Sequence, residues 1–488
     1  MVKKIVESKA YRGRVLRVAI GMIVLVLVMT GGAEATIIIK DNATGGDCTS
    51  IGTWSAATKT CSMTTDITPQ IYQNQIEIVS DGVTLDGNGH TITGHDNYVG
   101  NGVYLSGRSG VTIKNLNINN FGHTHGISIS NSNNNYLTGI NASNSWFGIY
   151  LSNSNNNTLI GNNINSNNYY GISLDGSNNT LSNNNASNNK YGIYLVGSSN
   201  MLSNNNASNN DYGIYLVGSS NTLSNNNASN NYHGICIGGS SNTLSNNNAS
   251  NNYHGISLEL HGSSNTLIGN NVNSNTGNGI FLESSSSNTL IGNNASNNTY
   301  GIYLYGSSSN TLSSNNANSN RDNGIFLECS SSNTLIGNNA SNNTYGIYLC
   351  GSSSNTLSSN NANSNRDNGI YLSTWSYFGY SMTSINNTLI GNNASSNNGN
   401  GISLDDSSSN MLTGNNANSN NGNGISLDYS SSNMLTGNNA NSNTDYGIYI
   451  HSSSSNTLNG SNVSNNYYGI SLESSSNNTV YDNFFNNT

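Results

Sequence analysis

The chain has 488 residues, 7% of them charged and 33% hydrophobic, with 53 Gly, one Pro and a formal net charge of −9. An acidic chain with few, scattered cations has no electrostatic footprint for nucleic acid. At so low a charge, solubility must rest on Asn, Ser and Thr.

The first 35 residues stand apart. Lys3, Lys4, Lys9, Arg12, Arg14 and Arg17 make a basic leader, Val18 to Met29 is apolar except for Gly21, and Ala33-Glu34-Ala35 is a small-x-small site. This pattern predicts a secretory signal over 1–35, removed after Ala35. The apolar run is shorter than the roughly 20 residues of a membrane span, so no span is expected in the mature chain. Six of the 13 basic residues and two of the 22 acids leave with the leader, so seven cations face 20 anions, a mature charge of −13. The protein is expected outside the cytoplasm: secreted, extracellular or at the cell surface, with the periplasm as a further option.

Residues 36–75 differ in composition from the rest of the chain and are read as an N-terminal cap. Cys48 and Cys61 flank Trp54 there. In an exported chain two such cysteines predict a disulfide. The cap would cover the open end of a stack of strands, whose unpaired edges invite aggregation.

From residue 76 onward the chain repeats. The segment SSNTLSNNNASNNYHGI fills 219–235 and recurs unchanged at 240–256. Gly followed by Ile or Val marks each unit from Gly102 to Gly469, in steps of 21 to 24 residues except for 32 between Gly369 and Gly401. Such a period means a solenoid. Leucine-rich repeats need an L-x-x-L-x-L pattern that is absent, and Asn, Ser and Gly disfavour helix interiors. Strict spacing of aliphatic residues argues against disorder. The remaining fold is all-β, a single-stranded parallel β-helix of about 17–19 coils, occupying 76–488. Period-two alternation puts Ile235 and Ile237 on one face, Leu202, Leu223 and Leu244 stack as one column, and Ala207, Ala228 and Ala249 as another. Asn-Ser runs turn the chain, stacked Asn amides bind coil to coil, and Gly before Ile suits a tight bend or a close backbone approach. Phe484 and Phe485 are expected to plug the last coil.

The repeated GIYLxxSSNTLxxNNASNN, and GVTLDGNGHTITG at 82–94, resemble NosD-type right-handed parallel β-helix repeats (PbH1-type repeats of the pectate-lyase-like superfold). The resemblance covers about 76–488. It implies a right-handed coil and a secreted or surface protein. The family name derives from a copper-related maturation factor, and fold does not fix function.

The residue after each GIxL strand forms a column that includes Asp175, Glu259, Glu283, Glu328, Asp405, Asp428, His451 and Glu473. The resemblance implies that acids from neighbouring coils bind Ca²⁺, which prefers oxygen ligands. Asp405, Asp406 and Asp428 are the candidates for catalysis, and Asp405, Asp428, His451 and Glu473 for metal. Lyases of the superfold also use an Arg or Lys base, and the nearest, Arg366, lies a coil away. The 32-residue step holds an insertion, STWSYFGYSMTS at 373–384, whose Trp375, Tyr377, Phe378 and Tyr380 form the densest aromatic group of the chain. Long loops on rigid scaffolds carry function, and aromatics beside acids suit sugar. The outward GIxL position carries a broken aromatic stripe, Tyr150 to Tyr449, which could dock an extended glycan or simply stack. For a soft metal, His233 and His254 occupy equivalent sites near Cys236, and His123 and His125 alternate on one strand. Cys329 and Cys350 sit in neighbouring coils, paired or free. Asn-Ala-Ser sequons recur, among them Asn185, Asn206 and Asn227, as glycan acceptors.

Two classes of function fit. The first is a secreted or surface β-helix protein that binds an extracellular polysaccharide or glycoprotein, in a structural or adhesive role, without turnover. The second is a polysaccharide lyase, hydrolase or epimerase. A NosD-like periplasmic copper accessory role is a third. Ligand contact is expected at 373–384 with Asp405, Asp406 and Asp428.

Overall fold

A strand of three to six residues begins each coil, and the six-residue Tyr191–Val196 shows the pattern. It pairs in parallel with Tyr170–Asp175 of the coil before and Tyr212–Val217 of the coil after, with Ile172, Ile193 and Ile214 in register and Leu174, Leu195 and Leu216 beside them. The computed structural model describes residues 36–68, 73–95, 100–259, 261–377 and 380–487, so the leader lies outside it. Among the described residues this first sheet has 19 strands, one per coil, beginning at Ile37–Ile39 and ending at Tyr468–Glu473. A second sheet stacks three-residue strands such as Met201–Ser203 and Thr222–Ser224. A third line is held by single bridges, Asn185 to Asn206 to Asn227 to Asn248. The result is a right-handed parallel β-helix, the hand that parallel crossovers adopt almost without exception.

Period-two alternation sets the core. Ile193, Leu195, Leu202 and Ala207 are fully buried in one coil, and the same four positions are buried in the next. The small residue on the third wall has a steric reason. A Cβ on Gly148 or Gly255 would lie 2.2 Å from Ile164 Cγ2 or Val272 Cγ1, so the Gly column and the Ala/Val column press on each other across a narrow corner. Gly213 is fixed by the same crowding. A Cβ there would sit 2.6 Å from the Gly234 carbonyl and 2.7 Å from Asn231 Nδ2. Its role is therefore close approach rather than a bend.

The corners explain the Asn-Ser doublets. In one coil Ser199, Asn204 and Asn209 have φ of 57°, 55° and 57°. Each is followed by a buried Asn: Asn200, Asn205 and Asn210. The first residue of each doublet makes the left-handed turn, which Asn tolerates better than most residues; the second points its amide into the core. Asn205 donates from its backbone N–H (3.0 Å) and from Nδ2 (2.9 Å) to Asn226 Oδ1 of the next coil, and Nδ2 also donates to the Leu181 carbonyl of the previous one (2.9 Å). Buried amides are tolerated where their polar atoms are paired in this way.

At the N-terminal side Cys48 and Cys61 are joined by a disulfide, with Cα atoms 5.7 Å apart. Gly52–Ser55 and Thr60–Met63 form an antiparallel hairpin, whose second strand pairs in parallel with Thr84–Asp86 and so starts the second sheet. At the other end Phe484 and Phe485 do not plug the last coil. They extend the third wall by pairing with Asn462 and Val463 and are 60% and 50% exposed. The described residues contain no helix long and apolar enough to cross a membrane.

Candidate functional site

Each first-sheet strand ends on a rim residue, and near the C-terminal side that rim is polar. Asp405, Asp428, His451 and Glu473 stand in register in four successive coils. His451 Nδ1 lies 2.6 Å from Asp428 Oδ1, and His451 Nε2 lies 3.2 Å from Ser452 Oγ. Tyr449 donates its hydroxyl to Glu473 at 2.7 Å, and Tyr371 donates to Asp405 at 3.2 Å. Partial burial holds the Asp405 carboxyl above the usual carboxylate range; the Tyr371 hydrogen bond opposes this, and the charges of Asp406 and Asp428 add to it. Asp406 itself turns the corner in a left-handed conformation, and its carbonyl accepts from Thr374 Oγ1 at 3.3 Å.

The insertion folds as a hairpin, Trp375–Tyr377 against Tyr380–Met382. It leaves the rim at Ser373 and leans back over the two preceding coils. The Trp375 indole N–H donates to Glu328 Oε1 at 2.9 Å, while Glu328 Oε2 accepts the Tyr303 hydroxyl. Gly351 makes room for this lean, since a Cβ there would meet Trp375 Cβ at 2.7 Å. The expectation that Trp375 stands beside Asp405 needs correcting. The indole is held on Glu328, while Thr374 at the base of the hairpin bonds the Asp406 carbonyl. Tyr380 is 76% exposed. Phe378 and the Tyr377 side chain lie outside the described residues.

Under the hairpin runs a stack of rings. Phe281, Tyr303, Phe326, Tyr348 and Tyr371 follow one another with centroids 5.1, 4.9, 5.0 and 4.9 Å apart, close to the spacing of β-strands. A second stack, Tyr170, Tyr191, Tyr212, His233 and His254, runs through earlier coils at the strand position three residues before the outward one. Burial pushes the Tyr191 and Tyr345 phenols up to about 12, so both stay protonated donors at neutral pH.

His233 and His254 are stacked rings with centroids 5.5 Å apart. His254 Nδ1 accepts from the Asn278 N–H, and burial lowers His254 to about 4, with His233 adding to the effect. The Cys236 thiol is buried and pushed strongly upward, mainly by that burial and then by Glu259. A thiolate-and-imidazole set for copper does not converge here. Of the rim acids, Asp428 engages His451. Among the described residues no group of three or more His, Cys, Asp or Glu is arranged to hold a metal ion. Cys329 and Cys350 are free thiols. The sequon residues Asn206 and Asn227 each donate Nδ2 to the equivalent Asn of the preceding coil at 2.8 Å, so glycan attachment would break that outer amide ladder.

Sequence reasoning placed Asp405, Asp428, His451 and Glu473 in one column. It missed Glu328 as the anchor of the hairpin, although Glu328 belongs to that same column. It also treated His451 only as a metal ligand, where the structure gives it a carboxylate partner.

A family described as "Right handed beta helix region" matches residues 81–231, 191–340 and 233–378, and "Periplasmic copper-binding protein (NosD)" matches 373–488. No curated protein matches the chain. A crystal structure of a double mutant of the periplasmic alginate epimerase AlgG is similar at 16% identity and a TM-score of 0.37, over 58% of this chain and 79% of that one. The A-module of Azotobacter vinelandii mannuronan C-5 epimerase AlgE4 is similar at 14% identity and a TM-score of 0.29, over 82% and 91%. Tailspike protein 3 of bacteriophage CBA120 is similar at 13% identity and a TM-score of 0.30, over 76% and 51%. Likenesses of this size carry no argument about activity.

Proposed function

The chain belongs to the right-handed beta helix family, and from that premise we propose that it is an exported scaffold that binds an extracellular polysaccharide or glycoprotein at the 373–384 hairpin and the rim beside it. In this reading residues 1–35 export the chain and 36–75 cap the solenoid. One observation carries it: Trp375 is fixed by Glu328 at the edge of the stacked Tyr303–Phe326–Tyr348–Tyr371 column, with Asp405 bound to the last of those rings. A sugar offers apolar C–H faces and hydroxyl groups together. A preordered ring surface with carboxylate acceptors on its rim meets both needs at low entropic cost. The test is a glycan array, with and without Ca²⁺, on the parent chain, on a deletion of 374–383 and on Asp405→Ala/Asp428→Ala. Loss of the same glycans in both variants supports the site. Parent-like binding by both removes it.

A second reading rests on the Asp428–His451 contact. A carboxylate that orients an imidazole is the arrangement a general base requires. It would suit a lyase, hydrolase or epimerase acting on a uronic-acid polymer. Release of unsaturated sugars, or a changed epimer ratio, that disappears in His451→Gln would establish turnover and replace the purely binding role.

A further inference from the structure

The first coils hold a second aromatic site, far along the solenoid from the hairpin. A cavity of about 450 Å³ is lined by Asn120, Gly122, His123, Asn144, Trp146 and Asn168. It exists because the repeat is irregular there. The Gly102–Gly126 step is 24 residues and the Gly148–Gly171 step is 23, against 21 in the most regular coils. The surplus widens the corner at 121–124 and adds Asn168.

The walls are fixed. Phe121 is buried at 3% exposure and anchors the widened corner. The Trp146 backbone N–H donates to the Phe121 carbonyl at 2.8 Å and to the Thr124 carbonyl at 3.0 Å, and Asn168 Nδ2 donates to the Gly122 carbonyl at 3.2 Å. The Trp146 ring stacks on Tyr169 with centroids 5.1 Å apart and planes 16° apart, and Lys190 Nζ caps Tyr169 at 4.7 Å. Trp146 is nonetheless 39% exposed. A large apolar ring kept rigid and left half in water is an unmet contact surface.

We propose that this cavity binds one uncharged pyranose unit of a polysaccharide, as a site separate from the one at the hairpin. The indole offers a flat face for the C–H side of the ring. Asn120, Asn144 and Asn168 offer amides that both donate and accept, as vicinal hydroxyls do. Among the described residues no carboxylate lines the cavity, which disfavours a cation, and the lining carries no fixed cation to hold a uronate. The same corner column continues through Lys190 and Asp211 to Tyr232 and Tyr253, which stack at 4.8 Å and are 54% and 42% exposed. A bound chain would run along the solenoid over these rings.

The experiment titrates the full chain with cellohexaose, mannohexaose, xylohexaose and laminarihexaose, and with oligomannuronate and oligogalacturonate, by calorimetry and Trp fluorescence. At least one neutral oligomer should bind. Trp146→Ala should weaken it by at least about tenfold, about 1.4 kcal/mol, and Asn144→Ala by a few-fold. The 374–383 deletion should leave it unchanged. Trp146→Phe, which keeps a ring on Tyr169, should retain part of the affinity and so separate lost contact from lost fold. The proposal is overturned if none of the neutral oligomers binds, if Trp146→Ala binds like the parent, or if the oligouronates bind better. Loss on deleting the hairpin instead would assign the binding to the other site.

Discussion

The coils over 180–250 and those over 402–473 are nearly identical inside and different outside. In the first region Asn205 donates to Asn226 Oδ1 at 3.0 Å and 2.9 Å; in the second Asn415 donates to Asn438 Oδ1 at 2.9 Å and 3.0 Å. Leu202, Leu223, Leu412 and Leu435 are all fully buried. On the rim, Val196, Val217 and Gly238 pair in the first region, whereas Asp405, Asp428 and His451 pair in the second. The interior specifies the coil, and it does so completely enough that the rim can change chemistry from one coil to the next. Recognition can therefore be written into outward positions without disturbing the stack.

The sharpest test of this equivalence is the amide ladder. Asn226→Ala and Asn415→Ala should each cost about 3–6 kcal/mol, because each strands several buried partners at about 1–3 kcal/mol apiece. Urea denaturation with hydrogen exchange of the flanking coils should give the same loss in both regions. Unequal losses would mean that the interiors are not interchangeable. The cap offers a contrast, since its constraint is covalent and local. Cys61→Ser should cost about 3 kcal/mol, as expected for a loop of this size. Exchange protection should fall in the first coils while both compared regions keep theirs. A global loss would break the picture of coils stabilised by their neighbours.

Glycine separates inside from outside within one coil type. Gly213→Ala should cost about 2 kcal/mol or more, because the new methyl meets the Gly234 and Ala207 carbonyls at 2.6 and 2.8 Å. Gly337 has φ of 61° and open space around its Cβ direction, so Gly337→Ala should cost only about 1 kcal/mol of left-handed strain. Melting temperatures of the two variants check the order.

Acid sensitivity sets two positions outside both compared regions, His125 and His254, apart from the rest. Burial lowers His125 and His254 to about 4 from the ordinary 6.5. The unfolded chain therefore takes up protons more readily. The stability they leave intact is full above about pH 6.5 and falls as the pH drops from there toward about 4. His254→Gln should flatten this fall without changing stability at pH 7.5. Equal pH slopes in parent and variant would show that His254 is not its source.

Much of the fold was legible because each coil repeats local rules: Ile-x-Leu alternation, one Leu, one small residue and three Asn. The split within each doublet could also have been read, since Asn178–Asn179, Asn183–Asn184 and Asn188–Asn189 recur every five residues, one turning and one pointing inward. The disulfide was legible from compartment and spacing. The direction of Trp375 was not. A hairpin of unknown lean can reach either neighbouring rim, and only the space over Gly351 and the acceptor on Glu328 decide between them. The Trp146 cavity escaped notice because single-residue surpluses in a 21–24 step look like noise until the coils are stacked.

The buried amides also give the molecule a sense of direction. Along the interior ladder the N–H and Nδ2 of Asn205 and Asn226 point to the Oδ1 of the next coil, whereas Asn206 and Asn227 on the outer wall donate the opposite way, to the coil already passed. A finished coil thus offers inner donors and outer acceptors to whatever arrives next, and the following coil brings the matching acceptors inside and donors outside. Chain emerging from its N-terminus meets a template of fixed polarity at each step. Growth in that order is vectorial, and a coil inverted end for end finds donor facing donor in the inner shell and acceptor facing acceptor in the outer one.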